Sequence, residues 1–201
     1  MKPRQFAIVL LAPLLAFSHP PERALAAAPA AWQIDPAHSS VSFAIRNFVL
    51  KVHGRFTDFR GTITADPAAW QNATVHVEIT TASITTDNAK RDAHLRTPDF
   101  FAADSFPTIT FRSTRIERRG DDARIFGTLT LRGVTRPVVL EGHFDGIQQS
   151  GQGERVSFEA ATTINRTEFG VTWNRAVEGG GAMLGDDVEV EISLQAVRTG
   201  T

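Results

Sequence analysis

The sequence predicts an all-β protein, an eight-stranded antiparallel barrel with one short helix between strands three and four. From Ser40 onward, apolar and polar residues alternate with a period of two, which is typical of strands that bury one face. Stretches rich in glycine, aspartate and proline separate eight such segments. Eight long antiparallel strands avoid exposed edges best by closing into a barrel. A two-sheet sandwich has the same periodicity and stays an alternative.

Residues 1–28 differ from the rest of the chain and show the pattern of a cleavable signal peptide. Lys2 and Arg4 precede the apolar run Phe6–Phe17, and the small residues of RALAAA follow. The run has about 12 residues, against the ~20 that span a bilayer. We therefore expect export, no stable membrane span after cleavage, and one domain over residues 29–201. The chain has no cysteine, so the core of this domain must be stable without disulfides.

The first three predicted strands cover residues 40–46, 59–66 and 75–80. Each places an apolar residue at every second position and serine, threonine or charged residues between them. Their apolar faces consist of Val41, Phe43 and Ile45, then Phe59, Gly61, Ile63 and Ala65, and finally Val75, Val77 and Ile79. Each strand is therefore expected to face the barrel interior on one side only.

The interval after the third strand does not alternate. Residues 86–96, TDNAKRDAHLR, contain good helix formers after Thr86 or Asp87 as the N-cap, and Pro98 ends the run. We therefore predict one short helix here.

Charged residues on this helix stand directly before a cluster of aromatic residues. Asp92 and Arg96 are four residues apart, which favours an ordinary surface ion pair. Phe100, Phe101 and Phe106 follow. We interpret the stretch as a crossing of the barrel rim, with the charges in solvent and the rings turned inward to line or close the interior.

The remaining five strands are long and separated by clear turn sequences. The turns are ERRGDD, LRGVTRP, QQSGQG and EGGGAMLGDD. Glycines inside the strands, such as Gly61, Gly127 and Gly142, indicate bends or bulges. The predicted strands cover residues 106–117, 122–132, 135–147, 153–166 and 186–198.

Known patterns for metal binding, covalent catalysis and phosphate binding are absent from the sequence. The histidines lack the spacing of metal ligands, no G-x-S-x-G elbow is present, and GGGA at 179–182 has no following Lys-Ser or Lys-Thr. Without residues 1–26, 18 basic and 21 acidic residues give a formal net charge of -3, and no basic stripe is present. We therefore expect no metal, no cofactor, no nucleic-acid partner and no catalysis.

The inward faces are apolar almost without interruption, which fits either a packed core or a lined cavity. Several inward positions are small: Gly61, Ala65, Gly127, Gly142, Ala160 and Thr162. Small residues remove volume where a dense core needs it, which favours a hollow. Its ligand would be slender and apolar, because each buried methylene contributes ~0.8 kcal/mol.

Six separated blocks of the chain resemble the YceI-like family of periplasmic proteins. They are IDPAHSSVSFAIRN, GRFTDFRGTI, RDAHLRTPDFFAADSFPTITF, GTLTLRGVTRPVVL, ATTINRTEFGVTWN and LGDDVEVEISLQAV, in this order over about residues 32–198. The resemblance implies a lipocalin-like barrel in the periplasm that binds a polyisoprenoid, an isoprenoid quinone or another long amphiphilic lipid without catalysis. Where many relatives read VRHLG or IQHLG, this chain has IRNFV, so Asn47 replaces a histidine.

The residues expected at the ligand follow from the apolar strand faces and from these blocks. The expected lining consists of Phe43, Ile45, Phe59, Ile63, Val77, Ile79, Leu95, Phe100, Phe101, Ile109, Phe111, Leu129, Leu131, Leu140, Phe158, Ile164, Phe169 and Trp173. By motif position, the head-group contacts are expected at Arg91, Asp92, His94, Arg96, Asn165 and Asn174.

Two other functions compete with a lipid carrier. A packed, ligand-free barrel would be a structural or stress-response module that acts through protein partners. An enzyme would work near Asp92 and His94. The helix at 86–96 also offers a surface for a homodimer contact.

Overall fold

The computed structural model describes residues 29–66, 69–151, 153–176 and 182–199. The predicted signal peptide lies outside the described residues. Within these ranges the chain forms eleven strands and one α-helix, joined in places by short 3-10 turns. None of the helices in these ranges has the length and apolarity needed to cross a membrane.

The strands alternate in direction, and each is paired with its neighbours in an antiparallel register. Their bounds are β1 Ala30–Ile34, β2 Ser40–Asn47, β3 Leu50–Phe56, β4 Phe59–Ala65, β5 Thr74–Thr80, β6 Ile84–Thr85, β7 Thr108–Arg119, β8 Asp122–Leu131, β9 Val134–Ser150, β10 Gly153–Asn165 and β11 Leu184–Thr199, with the helix α1 at Ala89–Leu95.

Eight of these strands form a closed antiparallel ring, so the predicted barrel is confirmed and the sandwich is wrong. The ring runs β1, β4, β5, β7, β8, β9, β10, β11 and returns to β1. It closes because β1 pairs with β4 on one side, as in Trp32 with Ile63, and with β11 on the other, as in Trp32 with Arg198. The helix lies between the third and fourth strands of the ring, as predicted.

The remaining three strands lengthen the barrel wall beyond the end of β1. A 3-10 turn at Pro36–His38 bends the chain between β1 and β2, and β2 then pairs with the first part of β11 through Val188 to Ser193. The strand β3 pairs with β2, and the short β6 pairs with β3. This extension stands beside α1 at one end of the barrel.

The sequence did not reveal β1, β3 and β6. In β3 the inward position Gly54 has no side chain, so the apolar alternation is interrupted. The ring of Phe43 covers that glycine, and a Cβ there would lie only 2.4 Å from the Phe43 ring. The strand β1 has alanine at two of its five positions, which is a weak strand former. Two residues are too few for β6 to show any period.

The helix starts later than predicted. Asn88 is the N-cap, and its side chain accepts a hydrogen bond from the Arg91 amide. Asp87 has a left-handed backbone with φ of 58°, and Thr86 is buried. Neither of these two residues therefore caps the helix.

Of the three predicted bend glycines, Gly127 lies beside a bulge. The register of β7 on β8 shifts between Ser113 and Arg115, opposite Gly127. Gly61 and Gly142 instead sit in regular pairs with Val77 and Ala160.

An aromatic cluster fills the end of the barrel opposite α1. The Trp70 ring, on a 3-10 turn at Trp70–Asn72, lies 5.8 Å from Trp32, 5.4 Å from Phe144 and 5.7 Å from Phe158 between ring centroids. Such tilted contacts are favourable beyond the burial of apolar area. This cluster closes one end of the interior, and α1 stands at the other end.

Candidate ligand-binding site

The barrel interior contains two apolar cavities, one nearer to α1 and one nearer to the aromatic cluster. The upper cavity has a volume of about 530 Å³, within the range of ligand pockets in proteins. The lower cavity has a volume of about 150 Å³. An apolar cavity of about this size holds one benzene-sized group, so the lower cavity is comparable to one isoprene unit and the upper one to several.

Five aliphatic side chains line both cavities and therefore mark the passage between them. They are Val41, Ile79, Leu129, Ile164 and Val190. We refer to these five residues as the junction. Each comes from a different strand, so the junction is a girdle around the interior. A linear chain that fills the upper cavity has to pass the junction to reach the lower one.

Not all of the small inward residues leave space. Gly142, Ala160 and Thr162 line the lower cavity, as the hollow interpretation requires. At Gly127, however, the Phe111 ring occupies the position of the missing side chain, only 2.5 Å from where a Cβ would lie. The glycine there allows an aromatic ring to pack against the strand and does not create a hollow.

The upper cavity opens toward solvent between α1 and the turn that joins β2 to β3. Asn88 and Lys90 belong to its lining and are exposed. Asn47 and Val52 line it from the two strands of the β2–β3 hairpin, and Met183 lines it from the segment before β11. We call this end of the cavity the mouth.

The polar residues of the upper cavity carry positive or no charge. Lys90, Arg91 and Arg166 line it, and the described lining includes no aspartate or glutamate. Arg91 is held in place because its Nε donates to the Thr86 hydroxyl at 2.6 Å and its Nη2 donates to the Thr86 carbonyl at 2.9 Å. Lys90 has no hydrogen-bond or ion-pair partner among the described residues. The mouth therefore favours an anionic or polar group.

Asn47 adds a polar atom without a partner at the mouth. Its Oδ1 is buried and accepts no hydrogen bond from the described residues. A buried amide oxygen without a partner is costly, and a ligand donor that reaches it would remove that cost. Position 47 is therefore a polar position at the cavity.

An aromatic group that includes His94 covers one side of the upper cavity. The His94 ring packs edge-to-face on Phe100 and Trp173, with centroids 5.0 and 5.2 Å apart. Its Nε2 is 2.8 Å from a carboxylate oxygen of Asp99. These contacts fix the ring at the cavity wall and leave its edge toward solvent.

Asp92 is a buried structural carboxylate on α1. It accepts hydrogen bonds from the Thr86 amide at 2.8 Å, the Thr86 hydroxyl and the Thr85 hydroxyl at 3.0 Å. Burial by itself raises the pKa of Asp92, but these hydrogen bonds and the nearby charge of Arg96 outweigh it, so the pKa lies below its ordinary value of 3.8. The carboxylate joins α1 to β6 and the residue after it.

The expected surface ion pair between Asp92 and Arg96 is therefore wrong. Arg96 donates instead to the carbonyl oxygens of Ala82 at 2.7 Å and Ile84 at 2.9 Å. Both charged groups of this i,i+4 pair hold the helix against the strand extension. The charge of Asp92 is buried and not in solvent.

Replacing Asp92 by asparagine is expected to lower the free energy of unfolding at pH 7 by about 1–2 kcal/mol, because the amide nitrogen cannot accept the hydrogen bonds. Since the folded-state pKa lies below 3.8, the ionised form stabilises the protein above about pH 4, and this contribution is lost as the pH falls through the folded-state pKa. Urea unfolding of both proteins at pH 7 and at about pH 3 measures the difference. The exposed Asp104→Asn is the control, with a change within about 0.5 kcal/mol. A difference that is the same at both pH values would contradict the argument.

Most of the residues predicted to line the ligand do lie on the two cavities. Phe59 is buried in the core but lines neither of them. Phe106, expected to turn inward, packs on Gly133. The upper cavity is lined by Phe43, Ile45, Leu95, Phe100, Phe101, Ile109, Leu131, Phe169 and Trp173, the lower by Ile63, Val77, Phe111, Leu140 and Phe158, and both by Ile79, Leu129 and Ile164.

The six residues predicted for head-group contact divide into two groups. Arg91 and His94 line the upper cavity. Besides Asp92 and Arg96, Asn165 and Asn174 are also engaged within the protein. Asn165 caps a 3-10 turn by accepting from the Thr167 amide at 2.9 Å, and Asn174 bonds both backbone groups of Leu184. None of these four residues belongs to the lining of either cavity.

Sequence reasoning missed Lys90, Asn88, Val52 and Met183 as lining residues. Lys90 stands next to Arg91 in the charged run of the predicted helix. The direction of its side chain depends on where the helix begins, which the sequence did not fix. Val52 belongs to the unpredicted strand β3. The sequence carries no separate signal for Met183.

Comparison with known proteins agrees with this architecture. The family model described as a YceI-like domain matches residues 32–196. The chain belongs to the YceI-like family. A UPF0312 protein from Staphylococcus aureus strain USA300 is 35% identical over 164 residues, which cover 80% of this chain and 94% of that relative.

Solved structures share the YceI-like fold. A Campylobacter jejuni YceI protein matches with a TM-score of 0.67 and 29% identity, over 76% of this chain and 88% of that one. BcnA from Burkholderia cenocepacia matches with a TM-score of 0.71 and 24% identity, over 82% and 99% of the two chains. A polyisoprenoid binding domain from Saccharophagus degradans has a TM-score of 0.65 and 15% identity, over 85% and 99%. The last two support the likeness of fold alone.

Proposed function

We propose that this protein is an exported periplasmic binding protein that holds the tail of a long-chain isoprenoid, a polyprenyl lipid or an isoprenoid quinone, or a similar amphiphile, in its barrel, without catalysis. The observation that carries the proposal is the apolar cavity of about 530 Å³, which leads past the junction to a second cavity and has cations and no carboxylates in its described lining. The name of the Saccharophagus degradans domain, a polyisoprenoid binding domain of the same fold, supports it.

The tail is proposed to lie along the barrel axis, past the junction, with its far end against the aromatic cluster. Each isoprene unit that leaves water for apolar walls contributes ~3–4 kcal/mol before the costs of binding. Apolar walls discriminate weakly between chains of equal width, so the choice of ligand falls to the head group at the mouth. There Arg91 and Lys90 offer positive charge, and Asn47 offers an amide.

Two of the competing interpretations lose support. A ligand-free module would have a filled interior, whereas the interior holds two cavities. For an enzyme near Asp92 and His94, Asp92 would have to be accessible, but it is buried under three hydrogen bonds from Thr85 and Thr86. The residues that the structure describes include no group of three or more potential metal ligands.

The test is an organic extract of the protein purified from its native cell envelope, analysed by mass spectrometry. We expect a polyprenyl or quinone species at close to one per protein chain. The control is a variant with arginine in place of Leu129 at the junction, which should be folded and empty. An empty extract from folded wild-type protein would overturn the carrier proposal and favour a module that works through protein partners.

Replacing Lys90 by glutamate is expected to weaken binding of a polyprenyl phosphate about five- to tenfold at low salt, because an exposed charge contributes modestly and is screened by ions. Binding of a quinone with the same tail should change less than twofold. Displacement of a fluorescent polyprenyl probe measures both affinities.

Arg112→Glu is the matched control for Lys90, since it makes the same change of charge at an exposed residue of β7 outside the upper-cavity lining, and Arg112, like Lys90, has no hydrogen-bond or ion-pair partner among the described residues. An equal loss of affinity in both variants would assign the effect to net charge and remove Lys90 from the mouth.

A further inference from the structure

The turn between β2 and β3 exposes three consecutive apolar side chains. Phe48, Val49 and Leu50 are 47%, 94% and 72% exposed, and three of the four large apolar residues that are exposed among the described residues lie in this one turn. Single exposed apolar residues are ordinary, but a contiguous group marks a contact surface. We call these three residues the tip.

The tip adjoins the mouth of the upper cavity. Asn47 and Val52, on either side of it, line that cavity. The Phe48 amide donates to the Met183 carbonyl at 2.8 Å, and Met183 is also a lining residue. Apolar surface therefore continues from the cavity lining to the outside of the protein at this point.

The backbone at the tip does not favour its sequence. Phe48 has a φ of 54°, in the left-handed region where glycine or asparagine fits and a bulky residue is strained. A phenylalanine that is both strained and exposed stabilises neither the turn nor the core. Local conflicts of this kind are expected where a residue serves a contact outside the fold.

Two cations stand directly behind the tip. Arg46 and Lys51 are cross-strand partners in the β2–β3 register, and both are exposed. Like charges placed opposite each other destabilise a hairpin. Glu189 binds Lys51, with Oε1 at 2.7 Å and Oε2 at 2.6 Å from the Lys51 Nζ, whereas Arg46 has no hydrogen-bond or ion-pair partner among the described residues. Glu189 therefore offsets the charge of Lys51, and an anionic surface would balance the charge of Arg46.

We propose that the tip inserts into the surface of an anionic lipid bilayer and brings the mouth of the cavity against the membrane. Apolar side chains enter the boundary between head groups and acyl chains, while basic residues behind them meet anionic head groups. Three side chains at a protruding turn are far fewer than the 20–30 residues per partner of a typical stable protein interface, which favours a bilayer over a protein partner. Membrane docking goes beyond the proposed function. It rests on that function only for its purpose, which is to exchange a lipid tail between the cavity and the bilayer without passage through water.

The test is flotation of the wild-type protein and its variants with vesicles of phosphatidylcholine and with vesicles that contain one quarter phosphatidylglycerol. All proteins are produced identically and carry the same N-terminus, so residues 1–28 contribute equally. Wild type should float with the anionic vesicles, and F48S/V49S/L50S should lose more than tenfold in its partition coefficient, because each buried methylene multiplies that coefficient by roughly four.

Ile147→Ser, at the other apolar residue that is 38% exposed, is the matched control and should float like wild type. Arg46→Glu should remove the preference for anionic vesicles.

Several outcomes would overturn the proposal. One is equal flotation of the triple variant and wild type, and another is absence of wild-type protein from both kinds of vesicle. A wild-type dimer that the triple substitution converts to a monomer, without vesicle binding, would assign the tip to self-association. Failure of the carrier function can be distinguished from failure of vesicle binding. Leu129→Arg should still float with anionic vesicles even though its cavity cannot hold a lipid.

Discussion

Replacing Leu129 by arginine is expected to weaken lipid binding more than a hundredfold while the barrel stays folded. Leu129 belongs to the junction and lines both cavities. An arginine there blocks the passage and places a cation among aliphatic side chains, where it has to recruit water or extend toward the mouth. Either response takes the space of the tail.

The matched control for Leu129 is the next outward position on the same strand. Thr130 lies on β8, and its hydroxyl contacts the Thr135 hydroxyl at 2.8 Å on the outer face. Thr130→Arg adds the same cation outside the cavity and should bind lipid within about twofold of wild type. Circular dichroism and the urea midpoint establish that both variants are folded, and displacement of a fluorescent polyprenyl probe measures affinity. Tight binding by folded Leu129→Arg would mean that the ligand does not occupy the barrel axis.

Seven of the eight ring strands could be predicted because they alternate regularly, whereas β1 was missed and the predicted strand at 40–46 is β2 of the extension. In β8, for example, the inward residues Ile125, Gly127, Leu129 and Leu131 follow each other at every second position. Such a run predicts a strand whatever its partners are. The predicted count of eight, with β2 in the place of β1, still made closure into a barrel the simplest arrangement without exposed strand edges.

Short and irregular elements could not be predicted, since their pairing depends on distant residues. In β3 the inward residue is a glycine under the Phe43 ring, so the pattern lacks the side chain that would identify it. The aromatic cluster depends on Trp70, which stands on a 3-10 turn outside every periodic segment. Neither feature can be derived from a local window of sequence.

The roles of the polar residues at the site depend even more on contacts with residues distant in sequence. The sequence predicts that Arg91, Asp92, His94 and Arg96 lie on one short helix. It does not show which of these side chains face the barrel extension. Asp92 turned out to be buried because β6, only two residues long, passes beside α1 and is followed by the buried Thr86. The charged run therefore divides into structural residues and mouth residues only in three dimensions.

Arg166 is the second residue for which we expect a large effect, and this effect is on stability. It is only 6% exposed, and four hydrogen bonds account for its guanidinium group. Its Nε donates to the Gly185 carbonyl at 2.8 Å, its Nη1 to the carbonyls of Val171 at 2.6 Å and Trp173 at 3.0 Å, and its Nη2 to Asp186 at 3.2 Å. Burial lowers the pKa of Arg166 below its ordinary value, and the charge of Asp186 offsets this in part.

Replacing Arg166 by alanine is expected to lower the free energy of unfolding by about 3 kcal/mol, because it leaves three backbone carbonyls without their donor in a buried site. For a domain of this size that corresponds to a fall in Tm of roughly 6–12 °C. Arg166→Lys should lie between wild type and alanine, since one ammonium group cannot replace the planar fork that reaches three carbonyls. Calorimetry and urea unfolding measure both variants.

Arg132 is a less buried arginine with which Arg166 can be compared. It also donates to two carbonyls, those of Gly170 and, at 2.7 Å, Pro98, but it is only partly buried, so water can replace its donors. Arg132→Ala should therefore cost about 1 kcal/mol or less. Similar losses in the two variants would show that neither the burial of Arg166 nor its two additional hydrogen bonds contribute extra stability. The predicted difference in stability between the two variants has a structural cause. Arg166 is a buried cation that holds the backbone before β11 at the barrel rim, including the carbonyl of Trp173 at the upper cavity.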